Sequence, residues 1–153
     1  MKDWKLIWSL SSSGLLMGIA AILGWTRGIE GLLWLGLGLI SALWLAVRQP
    51  AQLFAHAFRI GLIASVLAAG VEVLFFPWYV QHYPEFIDPA NQPPIDPRLF
   101  LLFVSPLIGA ASGAVLGFLT LIFDGMLHLH SALAHSKNGT QIFADQADFR
   151  RSN

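Results

Sequence analysis

Glu72 is the only Asp, Glu, Lys or Arg in the apolar run from Ile60 to Val80. Leaving a carboxylate ionised at such depth in hydrocarbon is costly, and no basic side chain shares its level. The carboxyl is therefore expected to be protonated and to donate a hydrogen bond. Counted from the outer end of each run, Glu72 sits at ~12 Å, Ser105 at ~10 Å and Ser41 at ~15 Å. Their depths allow these three to meet. One chemistry open to such a group is binding of a proton or cation; the other is a structural hydrogen bond between helices, worth roughly 1 kcal/mol.

The histidines offer a second chemistry. Asp124, His128 and His135 follow one another at offsets of four and seven, which places them on one face of a continuing helix, with His130 nearby and His56 on another connection. Imidazole and carboxylate suit zinc, nickel or copper. Against this stand Gly125, which weakens the helix, and the lack of a His-Glu-x-x-His pattern. Metal binding here is the weaker expectation. Haem would need histidines at membrane depth, and all five lie near or beyond the ends of the apolar runs. The Ser11-Ser12-Ser13 cluster has no base at its level, so those hydroxyls are expected to satisfy helix carbonyls. No phosphate-binding glycine loop or nucleophile elbow occurs, and neither catalysis nor a cofactor is expected.

The elements that must position these residues are four apolar runs, 6–25, 31–47, 60–80 and 99–123. About 20 residues at ~1.5 Å each cross the ~30 Å hydrocarbon core. The chain has 153 residues, of which 56% are hydrophobic and 12% charged, with nine basic and nine acidic side chains and no cysteine. Such a deficit of charge excludes a disordered chain, an ordinary soluble domain and a basic nucleic-acid module. Absence of cysteine excludes disulfides, thiolate zinc sites and iron–sulfur clusters. The fold class is thus an all-α polytopic membrane bundle of four spans, within 1–135, followed by a polar tail at 136–153.

Even numbers of spans leave both termini on one side. Lys2, Lys5, Arg48, Arg59, Lys137, Arg150 and Arg151 collect there, against Arg27 and Arg98 opposite, so the terminal side is expected to be cytoplasmic. Trp4, Trp8 and Trp44 fall near the inner boundary, and Trp25, Trp34 and Trp78 near the outer one. Lys2 and Lys5 before an apolar run, with Gly18-Ile19-Ala20 beyond, also fit a cleaved leader. The run continues to Trp25, however, and its serines make a poor leader core. Of the connections, the first is a turn at Gly28. The second, 48–59, reads as a short interfacial helix. The outer loop 81–98 holds five prolines and should be extended and irregular. Pro77 and Pro106 should kink the outer halves of their spans.

Small residues recur every four positions as Gly109, Gly113 and Gly117 in the fourth span and Gly61, Ser65 and Ala69 in the third, with Gly14 and Gly18 in the first. They predict close backbone packing, either within the bundle or in a homo-oligomer through the fourth span. The segments Phe54-Ala55-His56-Ala57-Phe58-Arg59-Ile60-Gly61-Leu62 and Tyr83-Pro84-Glu85-Phe86-Ile87-Asp88-Pro89 resemble a bacterial family of four-span membrane proteins of unknown function. That resemblance implies a bacterial inner-membrane location and the same four spans, and transfers no functional residue. Three functions follow in order of expectation. They are an accessory or scaffold component without catalytic activity, an oligomeric or proton-coupled carrier using Glu72, and a metal-dependent enzyme using the cytoplasmic histidines. The lipid bilayer is the one partner that composition requires; a second copy or another membrane protein would be a further one.

Overall fold

The structure, a computed structural model, describes residues 4–48, 52–88 and 95–151, with side chains as far as residue 131. Its elements are α1 (Trp4–Ser11), α2 (Ser13–Ile22), α3 (Glu30–Arg48), α4 (Leu53–Leu74), α5 (Phe76–His82), a single 3-10 turn (Pro84–Phe86) and α6 (Pro97–Arg151). No strand occurs among the described residues. Four stretches, Trp4–Ile22, Glu30–Arg48, Leu53–Leu74 and Pro97–Ser131, are long and apolar enough to cross a membrane. The near end of the bundle carries Trp4, Arg48 and Leu53; the far end carries Ile22, Glu30, Leu74 and Pro97.

Local chemistry explains where the helices begin and break. Gly24 and Gly28 adopt φ of +73° and +81°, so the α2–α3 turn uses the left-handed conformation that glycine tolerates without a Cβ clash. At the start of α6, an Asp96 carboxylate oxygen accepts the Arg98 backbone N–H at 2.8 Å, and Pro97 is the first helical residue. Pro106 lacks the N–H that would bond the Leu102 carbonyl; the Ser105 hydroxyl donates to that carbonyl instead, at 3.2 Å. α6 therefore passes through its proline unbroken. The third span does break, at Phe75, two residues before Pro77, and α5 continues beyond it.

Several connections differ from their sequence-based expectation. The short helix expected before the third span is the first turns of α4 itself, because residues 53–59 contain no glycine or proline to end it. The first span divides at Ser12, whose hydroxyl donates to Ser9 O at 2.7 Å while Ser13 donates to Leu10 O at 2.7 Å. The outer loop keeps helix as far as His82 and a 3-10 turn after it; its prolines 89, 93 and 94 lie outside the described residues. α6 runs on past Gly125 through the polar tail, where no further proline removes a backbone donor.

Packing is tightest between α4 and α6. Gly61 lies on the backbone of Gly113 and beside Gly109, while Gly109 faces Leu62 and Ser65. A Cβ on Gly113 would stand 2.5 Å from the Phe58 carbonyl oxygen, and Gly117 lies under the Phe54 ring. Likewise α2 sets Gly14 on Ala64 and Gly18 on Ala68. Two hydroxyls cross these seams: Ser11 donates to Ile60 O at 3.4 Å, and Ser65 to Ser105 O at 2.8 Å. Ala69 is buried one turn beyond Ser65. Small residues thus bring three helices to backbone contact, as hydrocarbon surroundings require when no hydrophobic force draws helices together.

α3 behaves differently. Its buried residues, Ser41, Ala42, Leu45 and Ala46, all belong to the near-end half. There Ala42 and Leu45 join Ile7, Ala57, Ile60 and Leu116 in one core cluster. From Glu30 to Ile40 none is buried, and Gly31, Gly36 and Gly38 have no neighbour within 4 Å of a built Cβ. The far half of α3 therefore stands off the bundle. Gly113→Ala is expected to destabilise the protein by ~1–3 kcal/mol through overpacking. Gly36→Ala, the same change in open space, should instead stabilise it by roughly 0.5–1 kcal/mol. Unfolding titrations in mixed detergent micelles compare the two; equal effects would show that the α4–α6 approach is looser than described.

Candidate functional site

The space left by α3 is a cleft of about 530 Å³ between α3, α4 and α6. Its α3 wall carries Glu30, Trp34, Gly38 and Ser41; its α4 wall carries Gly61, Ser65, Ala69 and Glu72; its α6 wall carries Leu101, Val104, Ser105 and Ile108. Most of the lining is aliphatic. Among the described residues no Lys, Arg or His lines it.

Glu72, Ser41 and Ser105 all border this one space, but not at one level. Ser65 is level with Ser105, because its hydroxyl reaches the Ser105 carbonyl. Glu72 lies seven residues, or ~10 Å, further toward the far end. The reason is the break at Phe75. The depth expected for Glu72 assumed an unbroken helix to residue 80, whereas α4 ends at Leu74. No described side chain hydrogen-bonds the Glu72 carboxyl, so the interhelical hydrogen bond expected of it is absent among the described residues. Ser105 spends its hydroxyl on Leu102 O. Ser41 is 7% exposed, has no hydrogen-bond partner among the described residues and borders the cleft.

Glu30 is the residue that the sequence did not single out. As the first residue of α3 it looks like an ordinary charged boundary of a span, yet it lines the same cleft as Glu72. Trp34 was likewise expected at the membrane boundary. It is instead half-buried in the cleft wall, one turn below Glu30, while Trp4, Trp8, Trp25, Trp44 and Trp78 are exposed. The signal available for Glu30 was its spacing: positions 30, 34 and 41 share one helical face, the face that presents Ser41.

Behind Glu72 the far end is closed by aromatics. Phe76, Tyr79 and Tyr83 are buried with Ala21; Tyr79 stacks on Tyr83 with centroids 4.7 Å apart and meets Phe86 at 5.4 Å. Arg98 lies over the Phe76 ring at 5.1 Å. Tyr83 and Thr26, both buried, share a hydrogen bond of 2.8 Å that ties this plate to the α2–α3 turn. Burial pushes the Tyr83 phenol above its ordinary pKa, and the Thr26 hydrogen bond draws it partly back.

The histidine candidates do not assemble. His128 Nε2 lies 3.6 Å from Asp124 Oδ1, on an exposed turn, and the side chain of His135 lies outside the described residues. His130 is exposed, while His56 is buried with Nδ1 3.1 Å from Gln52 O. Among the described residues no three metal-ligating side chains come together.

Large apolar side chains such as Leu32, Leu74, Phe103 and Leu107 point outward around all four crossings. A water-soluble fold does not expose such a continuous belt, so fold and surface together define a multi-pass membrane protein with lipid around it. Comparison with protein-family models, curated proteins and solved structures found no match. The resemblance of segments 54–62 and 83–89 accordingly assigns no family and no role.

Two outcomes check the far-end plate. Tyr83→Phe and Thr26→Val should each cost ~1 kcal/mol and be non-additive when combined, since either change removes the same bond. A raised phenol pKa favours folding while the phenol is neutral, and that contribution fades as pH rises past its ordinary value of 10.0. Unfolding followed against pH should therefore show wild type losing more stability above that value than Tyr83→Phe.

Proposed function

We propose that this chain is a small carrier of the cytoplasmic membrane, with Glu72 as its proton-exchanging group and the α3–α4–α6 cleft as its solute site. The observation that carries this reading is the pairing of two carboxyls in one apolar space. A scaffold needs only packing surfaces, and small residues already supply those on α2, α4 and α6. It has no use for a cleft of about 530 Å³ lined by Glu30, Glu72 and Ser41. The sequence alone, which offered a single carboxyl, favoured the scaffold; the second carboxyl shifts the balance.

A carboxylate at Glu72, in an apolar wall with a second carboxyl on the same cleft and no basic partner among the described residues, is costly unless a proton or a cation compensates it. Protonation and cation occupancy are then mutually exclusive, which is the elementary requirement for coupled exchange. The excess of Lys and Arg at the near end supports that end as cytoplasmic, with the Glu30 mouth facing outward. A bacterial inner membrane fits this arrangement.

A hydrophobic carbodiimide tests the reading, because it modifies protonated carboxyls in apolar surroundings. Peptide mass mapping should place the adduct on Glu72 in wild-type protein and find none there in Glu72→Gln, with modification falling as pH rises. A Glu72 that takes no label at any pH would show a carboxyl sealed by packing and return the protein to the scaffold reading.

A further inference from the structure

Resting on the site just described, we infer that the cleft takes a lipophilic organic cation, held between Glu72 and Glu30 with its apolar body along α3 toward Ser41. Four observations select this class. The first is charge: both ionisable groups lining the cleft are carboxyls, with no basic side chain beside them among the described residues. An anion would meet repulsion, and a neutral molecule would leave the carboxyls without a partner.

The second is size. About 530 Å³ falls within the ~300–1,000 Å³ that organic ligands occupy and is many times the ~30 Å³ share of one water. A desolvated inorganic cation also needs several oxygens at one point, roughly six to eight for calcium. Here the oxygens are strung out. Glu30 and Ser41 are eleven residues apart on α3, or ~16 Å along its axis.

The third is the wall. Trp34 lies one turn below Glu30 and lines the cleft, and an indole face attracts a cation through its quadrupole. Opposite stand Leu101, Val104 and Ile108, which suit an apolar body and offer it no hydrogen bond. The fourth is Ser41. Its hydroxyl borders the cleft and finds no partner among the described residues, and since no buried side-chain oxygen among them lacks a partner, it is open to that space rather than sealed in packing. A bound molecule reaching from the carboxyls to Ser41 would supply one.

Binding conserves charge in the site. The cation enters, a carboxyl releases its proton to bulk solvent, and no other group changes state.

The test uses the full chain in phosphatidylcholine vesicles, with tetraphenylphosphonium as the cation, triphenylphosphine oxide as a neutral analogue, tetraphenylborate as an anionic one, and sodium. Tetraphenylphosphonium should bind saturably, release protons into weakly buffered medium, and protect Glu72 from carbodiimide, while the other three do not. Glu30→Gln should weaken its binding about tenfold, the equivalent of ~1.4 kcal/mol. Trp34→Leu, which keeps the apolar bulk without the ring, should weaken it roughly three- to tenfold. Equal protection by the neutral or anionic analogue would overturn selection for a cation. Protection by sodium alone would overturn the organic class while leaving the Glu72 site standing. A Glu72 that never reacts, with no ligand present, would remove the site and this inference together. Because protection is read on wild-type protein, a folding defect in either variant leaves the result decisive.

Discussion

The structure depends on the backbone approach of α4 to α6 at Gly61, Gly109 and Gly113. Hydrocarbon gives apolar helices no reason to associate, so contact has to come from atoms close enough to gain dispersion, and only residues without bulk permit that. Gly14 and Gly18 bring α2 to the opposite side of α4 by the same means. The three helices meet backbone to backbone, with α4 the member shared by both seams. α3 has no comparable seam. It is anchored only where Ala42, Leu45 and Ala46 meet the near-end core, and diverges toward Glu30. The cleft is the geometric result of one helix packed along half its length beside three packed along most of theirs.

The divergence decides the electrostatics. Were α3 packed throughout, its far half would fill the space that Glu72 borders. Standing off, it leaves a cleft lined by Glu30, Trp34 and Ser41 on one wall and Glu72 on another. The aromatic plate of Phe76, Tyr79 and Tyr83 closes the bundle behind Glu72, and the Thr26–Tyr83 bond fixes the turn from which α3 departs. Glu72 thus lies on the helix that shares backbone contacts with α2 and α6, while Glu30 lies on the half of α3 where no residue is buried. Such an asymmetry suits a site that has to admit and release a solute.

Much of this was legible in the sequence, and the rest was not for identifiable reasons. Apolar runs of sufficient length marked the four crossings directly, because the bilayer sets their length and forbids unsatisfied backbone within it. The four-residue recurrence of Gly109, Gly113 and Gly117 marked the α6 seam, and a lone acid at position 72 marked itself by its cost. What escaped were quantities set between helices. Glu30 looked ordinary because only the placement of α3 beside α4 puts it on the same cleft as Glu72. The break at Phe75 shifted Glu72 relative to Ser105, and Pro106 left no comparable break because Ser105 satisfies the freed carbonyl.

If the cleft accepts a cation, Ser41 opens onto it while Ile40, its immediate neighbour, faces outward. The chain contains no cysteine, so single substitutions report on one position each. Ser41→Cys and Ile40→Cys lie at the same depth, the native residues being 7% and 62% exposed, and only Ser41 borders the cleft. Reaction rates with small water-soluble thiosulfonates, one cationic and one anionic, measure the difference, since the reactive thiolate needs polar surroundings. The account requires rapid modification of position 41 by the cationic reagent, slow modification by the anionic one, and neither at position 40. Position 41 as unreactive as position 40 would contradict it.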